Sequence, residues 1–151
     1  MTGVPAVRVF RKRPGAVLPR YASEGAAGAD IAACLEQPGG ELVIAPGGRA
    51  KIPTGLVLEI PPGWEAQVRP RSGLAFSGGV TVLNAPGTID SDYRGELEVL
   101  LVNLGTESRR IQSGDRIAQL VFAPAPRAVF VETAETGATG RGGGGFGSTG
   151  L

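Results

Sequence analysis

No histidine occurs among the 151 residues, and that absence removes more mechanisms than any residue present supplies. Without an imidazole there is no Ser-His-Asp triad, no histidine-ligated catalytic zinc and no histidine general base. Hydrolytic chemistry is left to carboxylates, an activated water and an oxygen-liganded cation such as magnesium. Cysteine is nearly absent too. The lone Cys34 excludes an intramolecular disulfide and a cysteine-rich zinc site, fits a reducing cytoplasm and reads as a small core residue. Neither sign of charge is in excess: a formal net charge of +1 predicts no strong attraction to nucleic acid or to a membrane surface. No apolar run reaches bilayer-spanning length and the N-terminus lacks the apolar core of a secretory signal, so the expected setting is soluble and cytoplasmic. The one basic run, Arg8, Arg11, Lys12 and Arg13, reads as a solvated arm.

Glycine and proline, by contrast, are abundant, at 25 and 12 residues, while the hydrophobic fraction of 42% rules out a disordered chain. Such a composition points to one domain of many short elements joined by turns. Segments rich in Val, Ile and Leu at 7–10, 29–35, 41–45, 51–60, 64–68, 80–84, 96–104, 116–122 and 128–132 read as strands, separated by Pro and Gly signals. The spacing predicts an all-β fold, a jelly-roll-like sandwich or barrel. One short helix is expected over 72–76, with Ser72 at its N-terminal end, where unpaired N–H groups suit an anion. The β-rich body is expected to span 1–136, and 137–151 to form a flexible arm.

Chemistry-bearing residues gather at the turns. Gly28 and Asp30 open one strand, and Arg69, Arg71, Ser72 and Gly73 precede the helix. Asn84, Gly87, Thr88, Ile89, Asp90, Asp92, Tyr93 and Arg94 link two apolar strands, and Asp115, Arg116 and Gln119 enter another. Singly, each has a structural reading: Asp30, Asp90 and Asp92 as turn residues, and Asp115 with Arg116 as a buried ion pair, the favoured reading there. The last eleven residues, 141–151, hold six glycines yet retain Arg141, Phe146, Ser148 and Thr149. On composition alone this is a Gly-rich disordered terminus. Its chemistry, however, suits a ligand with a phosphate end and a flat-ring end, because glycine lets backbone N–H groups approach an anion.

In this order and with the tail, the five clusters resemble the homotrimeric deoxyuridine triphosphatase (dUTPase) family. The resemblance runs from Leu18 to the end of the chain, and five spaced motifs carry far more specificity than a lone Gly-rich loop. Two departures are small. Ala29 stands where a larger residue is common in the first motif, and the tail has four successive glycines.

The resemblance implies hydrolysis of dUTP by water attack on the α-phosphorus, giving dUMP and pyrophosphate. It implies that Asp90 is the general base for this water, with Asp92 the runner-up. Magnesium (Mg2+) would be held mainly by the three phosphates, with Asp30 acting on it through water and Gln119 on the phosphate or the attacking water. Arg71, Ser72 and Gly73 would bind phosphate oxygens, while Arg69 receives no role. Asn84, the backbone around Thr88 and Ile89, and Glu98 would form a uracil pocket, with Tyr93 packed against the deoxyribose. Phe146 would stack on uracil and Arg141, Gly147, Ser148 and Thr149 would close over the triphosphate. Each site would draw on three chains of a homotrimer, with no nucleic-acid or membrane partner. Two other readings stand beside this one: a dCTP deaminase or bifunctional deaminase-dUTPase of the same fold, and a non-catalytic nucleotide-binding jelly-roll module.

Overall fold

Alternation of buried and more exposed side chains marks many of the strands. In the computed structural model, which describes residues 3–36 and 39–145, Val99 and Leu101 are fully buried while Leu100 between them is exposed. The elements run β1 (Arg8–Arg11), β2 (Arg20–Tyr21), β3 (Ala29–Ala32), β4 (Glu41–Ile44), β5 (Arg49–Pro53), β6 (Leu56–Glu59), β7 (Trp64–Arg69), α1 (Ser72–Gly78), β8 (Val80–Val82), β9 (Gly87–Ile89), β10 (Glu98–Asn103), β11 (Arg109–Gln112) and β12 (Arg116–Pro124). Every strand pairing is antiparallel, in sheets ordered β1-β6, β5-β10-β8, β11-β4 and β2-β3-β12-β7-β9. One apolar cluster takes members from all four sheets, among them Leu58, Leu101, Ile111 and Leu120. Each sheet buries one face and leaves the other to solvent, as expected for antiparallel layers. The architecture is all-β and jelly-roll-like, and among the described residues no helix is long and apolar enough to cross a membrane.

Several expectations need correction. The 51–60 run is two strands, because Gly55 turns the chain with φ of 69°. A Cβ there would meet the Ala16 Cβ at 2.8 Å and the Cys34 Sγ at 3.1 Å, so only glycine fits. The 128–132 segment forms no strand: Val129, Phe130 and Val131 are 87%, 96% and 80% exposed and find no partner strand among the described residues. The basic N-terminal run is not a solvated arm. Arg8–Arg11 is β1, paired in register with β6, and Arg13 donates to the Cys34 carbonyl at 2.8 Å. Strands β2, β9 and β11 were not foreseen, because they are short and largely polar and carry little apolar alternation.

Two buried polar side chains knit the core. Thr54 Oγ1 donates to the Leu97 carbonyl at 2.6 Å. The fully buried Asn103 amide donates to the Ile44 carbonyl at 2.9 Å and to that of Glu107 at 2.7 Å, while its Oδ1 accepts from the Gly105 N–H at 2.9 Å. Replacing it leaves three backbone groups without their partner, the buried Ile44 carbonyl among them. Asn103→Ala should therefore lower the unfolding free energy by about 2–4 kcal/mol, read by urea denaturation with an unchanged slope.

Candidate active site

Backbone register alone lines up one polar row on the open face of the five-stranded sheet. Asp30 on β3 lies opposite Gln119 on β12, and Gln119 lies opposite Arg69 on β7. Their strand neighbours Ala29, Ile31, Val68 and Leu120 are buried on the other face, as the two-residue period of a strand requires.

The Asp30 carboxylate, only 15% exposed, bridges two guanidiniums. Its Oδ1 lies 2.9 Å from Arg71 Nε, and its Oδ2 accepts from Arg116 at 3.0 Å. Arg71 in turn donates to the Arg116 carbonyl at 3.0 Å. One negative charge thus holds two positive ones side by side, leaving a local surplus suited to an anion. Arg71 is the extended residue before α1, whose start no side chain caps, so the leading N–H groups of the helix are free of side-chain partners. Gln119 Nε2 donates to the Pro70 carbonyl at 2.9 Å, which turns its amide oxygen toward Gly28. A cleft of about 350 Å³ is lined by Gly28, Asp30, Arg71, Ser72, Gly73 and Gln119, together with Arg116.

Arg116 is the residue that sequence reasoning misassigned. Asp115 is not its partner: Asp115 Oδ2 accepts from the Gln112 N–H at 2.8 Å to close a turn, and Arg116 reaches across to Asp30 instead. Arg69, previously without a role, donates to Gln67 Oε1 at 2.6 and 3.1 Å, and Gln67 Nε2 donates to Glu65 Oε1 at 2.7 Å. These three side chains form a ladder along β7.

The second group of residues lies apart. Asn84, Thr88, Asp90 and Tyr93 are exposed, and Ile89 is half-buried. Asp90 lines a cleft of about 600 Å³ with Trp64, Glu65, Asp92 and Arg127, and this cleft shares no lining residue with the one around Asp30. The Tyr93 hydroxyl donates to the Glu96 carbonyl at 3.1 Å. Glu98 pairs with Lys51 at 2.9 Å. Through that hydrogen bond first and its charge second, Glu98 raises the Lys51 ammonium above its usual value. A raised lysine supports the fold below its ordinary range and loses that support as pH climbs past the folded value, so the pair is intact at neutral pH.

Arg141 is exposed, and its Nε donates to the Gly144 carbonyl at 2.7 Å rather than entering either cleft. Phe146, Gly147, Ser148 and Thr149 lie outside the described residues. Among the described residues no three His, Cys, Asp or Glu side chains are grouped to hold a metal ion. Asp30 is the one carboxylate lining the arginine cleft, and with both its oxygens engaged it would reach a hydrated cation through water.

Comparison with known proteins shows the family. The dUTPase family model matches residues 15–150. The chain is 63% identical over 133 residues to the deoxyuridine 5'-triphosphate nucleotidohydrolase of Methylocella silvestris, covering 88% of this chain and 82% of that one. It is 57% identical over 137 residues to the protein of the same name from Rhizobium etli, covering 91% and 87%. Among solved structures, a mutant dUTPase of Staphylococcus bacteriophage 80alpha with dUpNHpp superimposes with a TM-score of 0.87 at 25% identity, over 97% of this chain and 99% of that one. A mutant dUTPase from phage phi11 of S. aureus, in which a structural Mg(II) ion is coordinated, matches with a TM-score of 0.78 at 21% identity over 88% and 99%, a likeness of fold.

The packing at Gly28 generates a test of the arginine cleft. A Cβ there would lie 2.1 Å from Gln119 Oε1 and 2.8 Å from its Cδ, so Gly28→Ala must swing the amide out of the cleft and break its bond to Pro70. We expect a loss of about 1 kcal/mol in stability together with weaker binding of inorganic pyrophosphate, measured by calorimetric titration. Unchanged pyrophosphate affinity would remove Gln119 from the anion site.

Proposed function

This chain belongs to the dUTPase family, and from that premise we propose that it hydrolyses dUTP to dUMP and pyrophosphate at sites completed between chains of a homotrimer. The observation that carries the reading is the Asp30 clamp: two guanidiniums, the start of α1 and Gln119 converge on one cleft with neither histidine nor a metal cage beside them. Such a cleft takes a polyphosphate.

In this reading Arg71, Ser72 and Gly73 bind phosphate oxygens through guanidinium, hydroxyl and N–H donors and stabilise the charge that develops as pyrophosphate leaves. Asp90 orients a water and takes its proton as the water attacks the α-phosphorus. Gln119 holds a phosphate oxygen or the attacking water. Magnesium held by the substrate phosphates would supply charge neutralisation, and Asp30 would meet it through water. Asn84, the backbone at Thr88 and Ile89, and Glu98 select uracil, and Tyr93 packs on the deoxyribose to exclude a 2′-hydroxyl. From residue 137 onward the chain acts as an arm: Phe146 stacks on the base while Arg141, Gly147, Ser148 and Thr149 close over the phosphates. The buried free thiol of Cys34 suits a reducing cytoplasm.

Two features support sites shared between chains. The Asp90 and Asp30 clefts share no lining residue within one chain, and in this reading Asp90 serves the phosphates bound by another copy. Val129, Phe130 and Val131 are exposed and find no partner strand among the described residues, and in this reading a neighbouring copy covers them. A cyclic ring meets both needs with heterologous contacts.

Incubation with magnesium and, separately, dUTP, dCTP, dTTP and UTP should release dUMP and pyrophosphate from dUTP alone. Ammonia from dCTP, or no turnover at all, would sink the assignment. Asp90→Asn should lose ~10²–10⁴-fold in kcat with nucleotide affinity nearly kept. A protein truncated after Gly140 should stay folded but turn over slowly. Co-refolding these two inactive variants should restore part of the activity, because a mixed ring contains sites with an intact hairpin and an intact arm. If mixed trimers confirmed by mass spectrometry stay inactive, the hairpin and arm serve the same chain's site.

A further inference from the structure

Glu96 is a charged side chain only 7% exposed, set directly before the fully buried Leu97 and outside the residues given any role above. All of its acceptor capacity faces inward. Oε1 accepts from the Gly55 N–H at 2.9 Å, and Oε2 lies 3.2 Å from the Arg13 guanidinium and 3.3 Å from Lys12 Nζ. The partners are themselves tied down, since Arg13 donates to the Cys34 carbonyl at 2.8 Å and the Lys12 N–H donates to the Gly55 carbonyl at 2.8 Å. Gly55 cannot be any other residue without a clash. A buried carboxylate with every partner in place has one workable geometry, because losing a partner leaves an uncompensated charge.

The same residue holds the tyrosine of the hairpin by its main chain, as the Glu96 carbonyl accepts the Tyr93 hydroxyl at 3.1 Å. The Tyr93 ring lies over Gly95, where only a glycine leaves it room, and its other side is exposed; its hydroxyl makes no other hydrogen bond among the described residues. We propose that Glu96, clamped by Lys12, Arg13 and the Gly55 N–H, is a positioning residue that fixes the pose of Tyr93 and so sets the discrimination between deoxyribose and ribose. This rests on the reading that Tyr93 packs against the sugar. It also gives the basic N-terminal residues Lys12 and Arg13 a purpose, as distant supports of substrate choice.

The chain has two tyrosines, Tyr21 and Tyr93, so full-length protein grown with fluorotyrosine yields two fluorine resonances, assigned with Tyr21→Phe. Glu96→Gln should shift or broaden the Tyr93 resonance and leave that of Tyr21 in place. Beside it, the preference for dUTP over UTP in kcat/KM should fall about ten-fold, through a raised KM for dUTP with kcat near the parent value. On a Tyr93→Phe background, where the hydroxyl bond is already gone, Glu96→Gln should add no further loss. Where Glu96→Gln fails to fold, Lys12→Gln removes only the most exposed partner and should act in the same direction more weakly. An unmoved Tyr93 resonance overturns the proposal. A moved resonance with unchanged preference also overturns it, and Tyr93→Ala then says which step failed: preference lost there indicts the Glu96 link alone, whereas preference kept there removes Tyr93 from sugar selection.

Discussion

The double hold of Asp30 on Arg71 and Arg116 is the contact on which the anion cleft depends. Two guanidiniums placed side by side repel each other, and a single shared carboxylate at 2.9 and 3.0 Å makes their proximity stable. The carboxylate is itself placed by strand register, since Asp30 faces Gln119 across the β3–β12 pair. A slip of one residue in that pair would turn Asp30 into the core and bring Ala29 or Ile31 to the open face. The apolar alternation that buries Ile31 and Leu120 therefore also fixes where the charges stand. Core and site are two faces of one sheet.

A second theme is division. One chain carries an arginine cleft and an aspartate cleft that share no lining residue. The ladder of Glu65, Gln67 and Arg69 runs along β7 from Glu65, which lines the aspartate cleft, to the row that holds Gln119. It gives the open face of the sheet a connected polar row along β7.

What the sequence made legible was residue type and period. The run 64–68 alternates cleanly because one face is buried, and 116–122 also emerges as a strand although a register shift between Arg116 and Ala118 leaves Ile117 and Ala118 both buried. The short helix starts at Ser72 as expected and runs on to Gly78. The cluster of Asp30, Arg71, Ser72, Gly73 and Gln119 was recognisable as a set, and the cleft gathers all five. Pairing partners were not legible. Asp115 and Arg116 are adjacent in sequence, yet they serve different partners, because Asp115 closes the turn before β12 while Arg116, the first residue of that strand, reaches across to Asp30. Arg13 and Glu96 are 83 positions apart, and no local pattern announces such a pair; the basic run accordingly read as a solvated arm. The 128–132 segment has the composition of a strand without a partner strand among the described residues, and composition reports the wish for burial rather than what satisfies it.

That unpartnered segment has a consequence for how much enzyme a cell must make. A lone subunit carries Val129, Phe130 and Val131 bare, which is the kind of apolar edge that recruits the wrong chain as readily as the right one. For the homotrimer proposed above, assembly scales with the third power of free subunit, whereas losses of a lone subunit to proteases scale with the first. Halving expression would then remove more than half of the complete sites, and the protein would behave as a threshold device whose output collapses below a critical abundance.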